Sequence, residues 1–157
     1  MIELVPWSDR QFKFDQSVDT FPLVLERLRG TPARAAELVK DVSEHVLSIR
    51  VRGKWSIKEN IGHLGDNQEM EKKRLAEFLA RVPEMSAADM TNRSTESARH
   101  NEVLIANVLD HFRGRRLEWV CELERLTDEE QLLASLHPRL RQKMRLLDWA
   151  EFRCGSR

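Results

Sequence analysis

The five histidines are the side chains of this sequence best suited to hold a metal ion or move a proton near neutral pH. His63 stands in the run Trp55-Ser56-Ile57-Lys58-Glu59-Asn60-Ile61-Gly62-His63-Leu64-Gly65-Asp66. A lone imidazole inside a helix is either a hydrogen-bonded boundary group or one of the three or four ligands of a zinc-type site. Glu59 lies one helical turn earlier, so its carboxylate can reach the ring. It would then orient a ligand from behind, or form a surface pair worth a few tenths of a kcal/mol. On a wheel of about 100° per residue, Asn60, Asn67 and Arg74 share His63's side of the helix. That polar strip runs beside the apolar stripe of Ile57, Ile61, Leu64, Leu75, Phe78 and Leu79 and can line a cleft between helices.

The other histidines are less promising. His100 and His111 fall about 16 Å apart on a straight helix, too far for one ion with ligand bonds near 2 Å, so both are expected at the surface or boundary. His45 sits in a connector and should be solvated, and His137, just before Pro138, is expected to fix a turn. Cys121 reads as a small core or boundary residue and Cys154 as an exposed thiol. Arg139, Arg141, Lys143 and Arg145 form one basic run, and Arg113, Arg115 and Arg116 another. Either could grip an anion, or be a solvated face balanced by nearby carboxylates. The sequence contains no Gly-rich phosphate loop, nucleophile elbow or Cys-x-x-Cys pair.

Helices must position these groups. Ser56 followed by Glu59 is a capping box, so a helix begins at Ile57, and Pro83 stops it after about Ala80. Ahead of it, a first helix starts near Phe21-Pro22 and is expected to break at Gly30-Thr31-Pro32 before running to about Val42. A third runs from about Thr95 to Leu126 with Leu104, Val108, Phe112, Trp119, Leu123 and Leu126 on one face. Thr127 with Glu130 is a second capping box, opening a short helix that ends by His137-Pro138. The last helix begins near Leu146 and turns Leu146, Trp149 and Ala150 inward. Residues 1–20 are irregular, with Trp7, Phe12 and Phe14 draped on the surface. No strand is expected. The fold class is all-α: one domain over residues 1–157, an antiparallel four-helix bundle with a broken first helix and a short last one.

The run from Lys54 through Asp66 resembles the second helix of the DinB/YfiT-like superfamily of bacterial helical bundles. Residues 25–34, Leu-Glu-Arg-Leu-Arg-Gly-Thr-Pro-Ala-Arg, resemble that family's broken first helix. His137-Pro138-Arg139-Leu140, with Met144, Asp148 and Phe152, resembles the approach to its last helix. The resemblance implies a divalent metal, zinc or nickel, with an open coordination position, and metal-dependent hydrolases or thiol-dependent S-transferases acting on small molecules or thiols. It implies one ligand at His63 and leaves His137 near the site's general region, while Glu59, Asn60 and Asn67 are candidates for its surroundings or cleft by their places on the helix. Two further ligands would come from a His-x-x-x-His pair along the last helix. This sequence reads Phe152-Arg153-Cys154-Gly155-Ser156-Arg157 there and lacks the pair. The metal site is therefore expected to be incomplete, with metal absent or weakly held. The competing class is a non-catalytic bundle that acts through self-association or a protein partner.

The remaining numbers narrow the partners. With 26 basic and 26 acidic residues the net charge is zero, which offers no general attraction to nucleic acid or to an anionic membrane. No run of about 18 apolar residues and no leader pattern is present, so a cytoplasmic location is the expectation. The helix carrying His63 would span roughly 36 Å and the third roughly 48 Å, whereas Leu146 to Arg157 reaches about 18 Å. Apolar stripes left uncovered by so short a last helix lead to two expectations: that the sequence was once longer, and that it pairs as a homodimer.

Overall fold

The computed structural model describes residues 14–155. The expectations for Trp7 and Phe12 fall outside them. The chain divides into two compact units, residues 29–72 with 88–123, and residues 1–28 with 73–87 and 124–157. Each is built on its own apolar core, and no helix among the described residues is long and apolar enough to cross a membrane.

The first unit takes in part of α1 (Phe21–Val39), α2 (Glu44–Leu47), α3 (Ile57–Asp66), part of α4 (Gln68–Leu79), α5 (Arg93–Ala98), a 3-10 turn (His100–Glu102) and α6 (Ile105–Leu123). The capping box starts α3 as its sequence demands: Ser56 Oγ accepts from the Glu59 amide at 3.1 Å, and Glu59 Oε2 accepts from the Ser56 amide at 2.8 Å. Its core is Val39, Leu47, Ile61, Val108 and Phe112, with Ala35, Val42, Leu64, Ile105 and Leu109 packed around.

Three expectations fail here. The first helix does not break: α1 runs straight through Pro32. The proline removes one backbone bond, a cost of about 3 kcal/mol in a helix interior. Arg34 bridges that turn, donating to Thr31 Oγ1 at 3.0 Å with its guanidinium lying over the bare Cα of Gly30. The single helix expected from Ile57 to Ala80 is instead divided at Asn67, whose backbone stays in the right-handed region (φ −69°, ψ −12°). The third helix is divided more sharply. Arg99 adopts φ 52°, ending α5 and turning the chain into the 3-10 segment, and Leu104 is 61% exposed instead of facing the core.

The second unit contains the N-terminal part of α1, the C-terminal part of α4, α7 (Asp128–Gln131), strands β1 (Ala134–Leu136) and β2 (Lys143–Arg145), and α8 (Leu146–Gly155). The Thr127–Glu130 capping box opens α7 as expected. The strands are a correction to an all-helical reading: they pair antiparallel with Ser135 opposite Met144. Period-2 alternation explains them, since Met144 is buried between exposed Lys143 and half-buried Arg145. Arg145 is not a solvated charge. It forks onto Asp148 with bonds of 2.7 and 2.6 Å and donates to the Gln16 carbonyl at 2.9 Å. This fixes the start of α8, whose Trp149 stacks on Phe78 with ring centroids 5.5 Å apart.

Candidate functional site

His63 sits on α3 at the centre of a side-chain network. Its Nδ1 lies 2.9 Å from Thr95 Oγ1, and its Nε2 lies 2.8 Å from the amide nitrogen of Asn67, one turn further along. Thr95 in turn donates its hydroxyl to Asp66 Oδ2 at 2.8 Å. The same carboxylate oxygen is 2.9 Å from His100 Nε2, and its twin Oδ1 is 3.8 Å from His111 Nε2. The Trp55 ring covers one flank of the His63 imidazole, centroids 4.8 Å apart.

Backbone geometry brings these groups together. Residues five apart on a straight helix point about 140° away from each other, so Thr95 and His100 could not both reach Asp66 from one. The left-handed turn at Arg99 lets them do so. Gly62 and Gly65 allow the rings in: a Cβ on Gly62 would collide with the His100 ring, and one on Gly65 would stand 2.7 Å from His111 Cδ2 and 3.3 Å from the Phe112 Cα. The expectation of a surface or boundary place is thereby corrected for His100, while the exposed His111 keeps it. His100 is buried, and both rings converge on Asp66 because the segment bearing them is not one straight helix.

Glu59 has a different employment from the one its spacing suggests. Both its oxygens are taken by Arg50, whose guanidinium holds its carboxyl down at about 2, aided by the Ser56 amide. Arg50 also pairs with Glu96, and Glu96 accepts from Trp55 Nε1 at 2.6 Å. This second network holds Trp55 beside His63. Asn60 donates back to the carbonyls of Ser56 (2.8 Å) and Trp55 (3.2 Å), bracing the start of α3. Of the polar strip read from the wheel, Asn67 thus touches His63. Arg74 belongs to the second unit, where it donates to the Ser86 carbonyl.

His137 also belongs to the second unit. Its Nδ1 accepts from the amides of Leu140 (3.2 Å) and Arg139 (3.3 Å), and its ring meets Phe152 edge-on. Burial, with Arg74, Arg153 and Arg139 nearby, pushes its pKa down to about 4, so it is neutral at physiological pH. It fixes the turn into β2. Cys121 is exposed, contrary to the expectation of a core or boundary place, and Cys154 is partly buried with its thiol 3.6 Å from the Val24 carbonyl.

Thr95, Asp66 and Trp55 are the members that sequence reasoning missed. Asp66 and Trp55 lie within the His63 run itself, and the Gly62/Gly65 pair marked where another element would press against α3.

The residue pattern of the DinB superfamily matches positions 27–154. The chain belongs to the DinB superfamily. No curated protein matches the sequence. Among solved structures it is similar to YfiT from Bacillus subtilis, described as a probable metal-dependent hydrolase with an unusual four-helix bundle topology. The TM-score is 0.76 at 16% identity, covering 92% of this chain and 83% of that one. The DinB-type four-helix bundle expected from the sequence is therefore the fold of this chain, carrying the small hairpin in addition.

The metal that this superfamily implies finds a poor fit among the described residues. No three His, Cys, Asp or Glu side chains are grouped to hold an ion, and both ring nitrogens of His63 already face side-chain partners.

Proposed function

We propose that this DinB-superfamily chain is a relative of the metal-dependent hydrolases and thiol-dependent S-transferases in which the metal site is incomplete. His63, at the position of a family ligand, serves instead as a hydrogen-bonding group of a small-molecule site. One observation carries this reading: the imidazole is held at both nitrogens, by Thr95 at 2.9 Å and Asn67 at 2.8 Å, where a ligating histidine keeps one nitrogen for the ion. The test is metal content after exposure to zinc or nickel and dialysis. Far less than one equivalent per chain is expected, with no change on His63→Ala. A dialysis-resistant equivalent that disappears in that variant would overturn the proposal and restore metal-dependent hydrolysis.

A second reading, self-association as a homodimer, is favoured by the apolar side chains left in water, among them Leu38, Val51 and Leu104, 80%, 62% and 61% exposed. Light scattering over a concentration series checks it. Mass rising toward twice the chain supports pairing, and a constant monomer mass at high micromolar concentration rejects it.

A further inference from the structure

A count of protons through the Asp66 network assigns the hydrogen on His63 Nδ1. Thr95 has one hydroxyl hydrogen, and it goes to Asp66 Oδ2. Thr95 Oγ1 can therefore only accept from His63, which places a hydrogen on Nδ1. Asn67 then donates its amide hydrogen to the lone pair on Nε2. With the Asn67 amide nitrogen, and not its oxygen, facing Nε2 at 2.8 Å, the ring nitrogen is the acceptor of that contact.

We infer that Asp66 and Thr95 are positioning residues that lock His63 in the Nδ1–H tautomer, and that Nε2 is the acceptor atom for a small protic ligand. The inference deepens the small-molecule reading of this site and rests on it. Asn67 marks where the ligand's donor goes: its amide N–H occupies that place and can leave it, since a single neutral side-chain bond exchanges readily for one to water. Asn67 is half-buried and caps the end of α3. Trp55, pinned through Nε1 by Glu96, supplies a flat apolar wall beside the imidazole. The ligand class is therefore a small molecule with an O–H or N–H donor on a flat or apolar body. Asp66 is held in turn by His100, so the relay is anchored at its far end.

The test is the ring-nitrogen NMR spectrum of the full chain, uniformly labelled with 15N, near neutral pH. The His63 Nδ1 signal should fall in the protonated range and Nε2 in the unprotonated range. Thr95→Val should shift both toward the averaged values of a free histidine, and Thr95→Ala should repeat this if valine disturbs folding. Thr95→Ser should leave them in place. In Asn67→Ala the tautomer should persist, and phenol, used as the protic probe, should move Nε2 in a saturable way. A protonated Nε2 in the parent chain, whether from the other tautomer or from an imidazolium facing a turned Asn67 amide, overturns the inference. So do valine and alanine variants that match the parent, or an Nε2 indifferent to phenol. None of these results concerns metal uptake, and stoichiometric metal lost on His63→Ala would sink the broader reading by itself.

Discussion

His63 and His137 occupy one unit each, and their surroundings differ in kind. His63 is held by side chains: Thr95, itself fixed by Asp66, and Asn67, whose amide can be replaced by another donor. His137 is held by backbone amides of a turn and is shut in against Phe152, so exchanging its partners would mean undoing the turn. An imidazole with replaceable partners can take part in binding, whereas one bonded to backbone is a structural part. Residue type alone does not make this distinction. Both are histidines next to helix-rich sequence, and the family resemblance placed them in one neighbourhood.

The largest expected effect is at Asp66. Asp66→Ala leaves the Thr95 hydroxyl and the His100 N–H without their acceptor in a buried setting, which should cost about 4 kcal/mol of stability in urea denaturation. A loss under 1 kcal/mol would mean that water replaces the carboxylate freely, and the network would no longer be the rigid anchor described.

Next comes the acid response of His137. Its folded pKa of about 4 lies below the ordinary value of 6.5, so the unfolded chain binds the proton first as pH falls. Its stabilising contribution is complete above about pH 6.5 and is lost between there and about pH 4, amounting to about 3 kcal/mol in all. His137→Asn keeps an acceptor for the turn amides but does not titrate. The stability difference between parent and variant should therefore shrink in that window, and a difference independent of pH would show that the ring is hydrated. The Glu59 carboxyl, held down to about 2 by Arg50, acts in a lower window. Its contribution is lost as pH falls from about 4.5 toward 2.

Gly62→Ala should cost about 2 kcal/mol by driving a methyl group into the His100 ring. The thermal midpoint reports it, and a neutral result would show that His100 can withdraw. The smallest effect is His63→Ala, about 1 kcal/mol, because Thr95 keeps its bond to Asp66 and the half-buried Asn67 amide can turn to water. That contrast with His137 is the comparison at its sharpest.

Much of the fold was legible. Both capping boxes start their helices where Ser56 with Glu59 and Thr127 with Glu130 require, and α8 begins at Leu146. What failed lay in backbone conformations without a local signature. Arg99 takes a left-handed φ that a non-glycine residue does not advertise, and it alone makes Thr95 and His100 neighbours. Pro32 is a helix breaker by propensity, yet α1 carries it. The hairpin carried its signal in the alternation around Met144, masked by a basic run that reads as a charged face. For the site, spacing gave the Asn67 contact but promised Glu59 as well, because it does not reveal that Arg50 claims that carboxylate first.

The decisive measurement is what His63 Nε2 does when zinc is offered. In a 15N-labelled sample titrated with zinc to several equivalents, the Nε2 signal should hold its position while the exposed His45 responds first. A shift of His63 Nε2 that saturates at one equivalent per chain would contradict the account and make this imidazole a metal ligand.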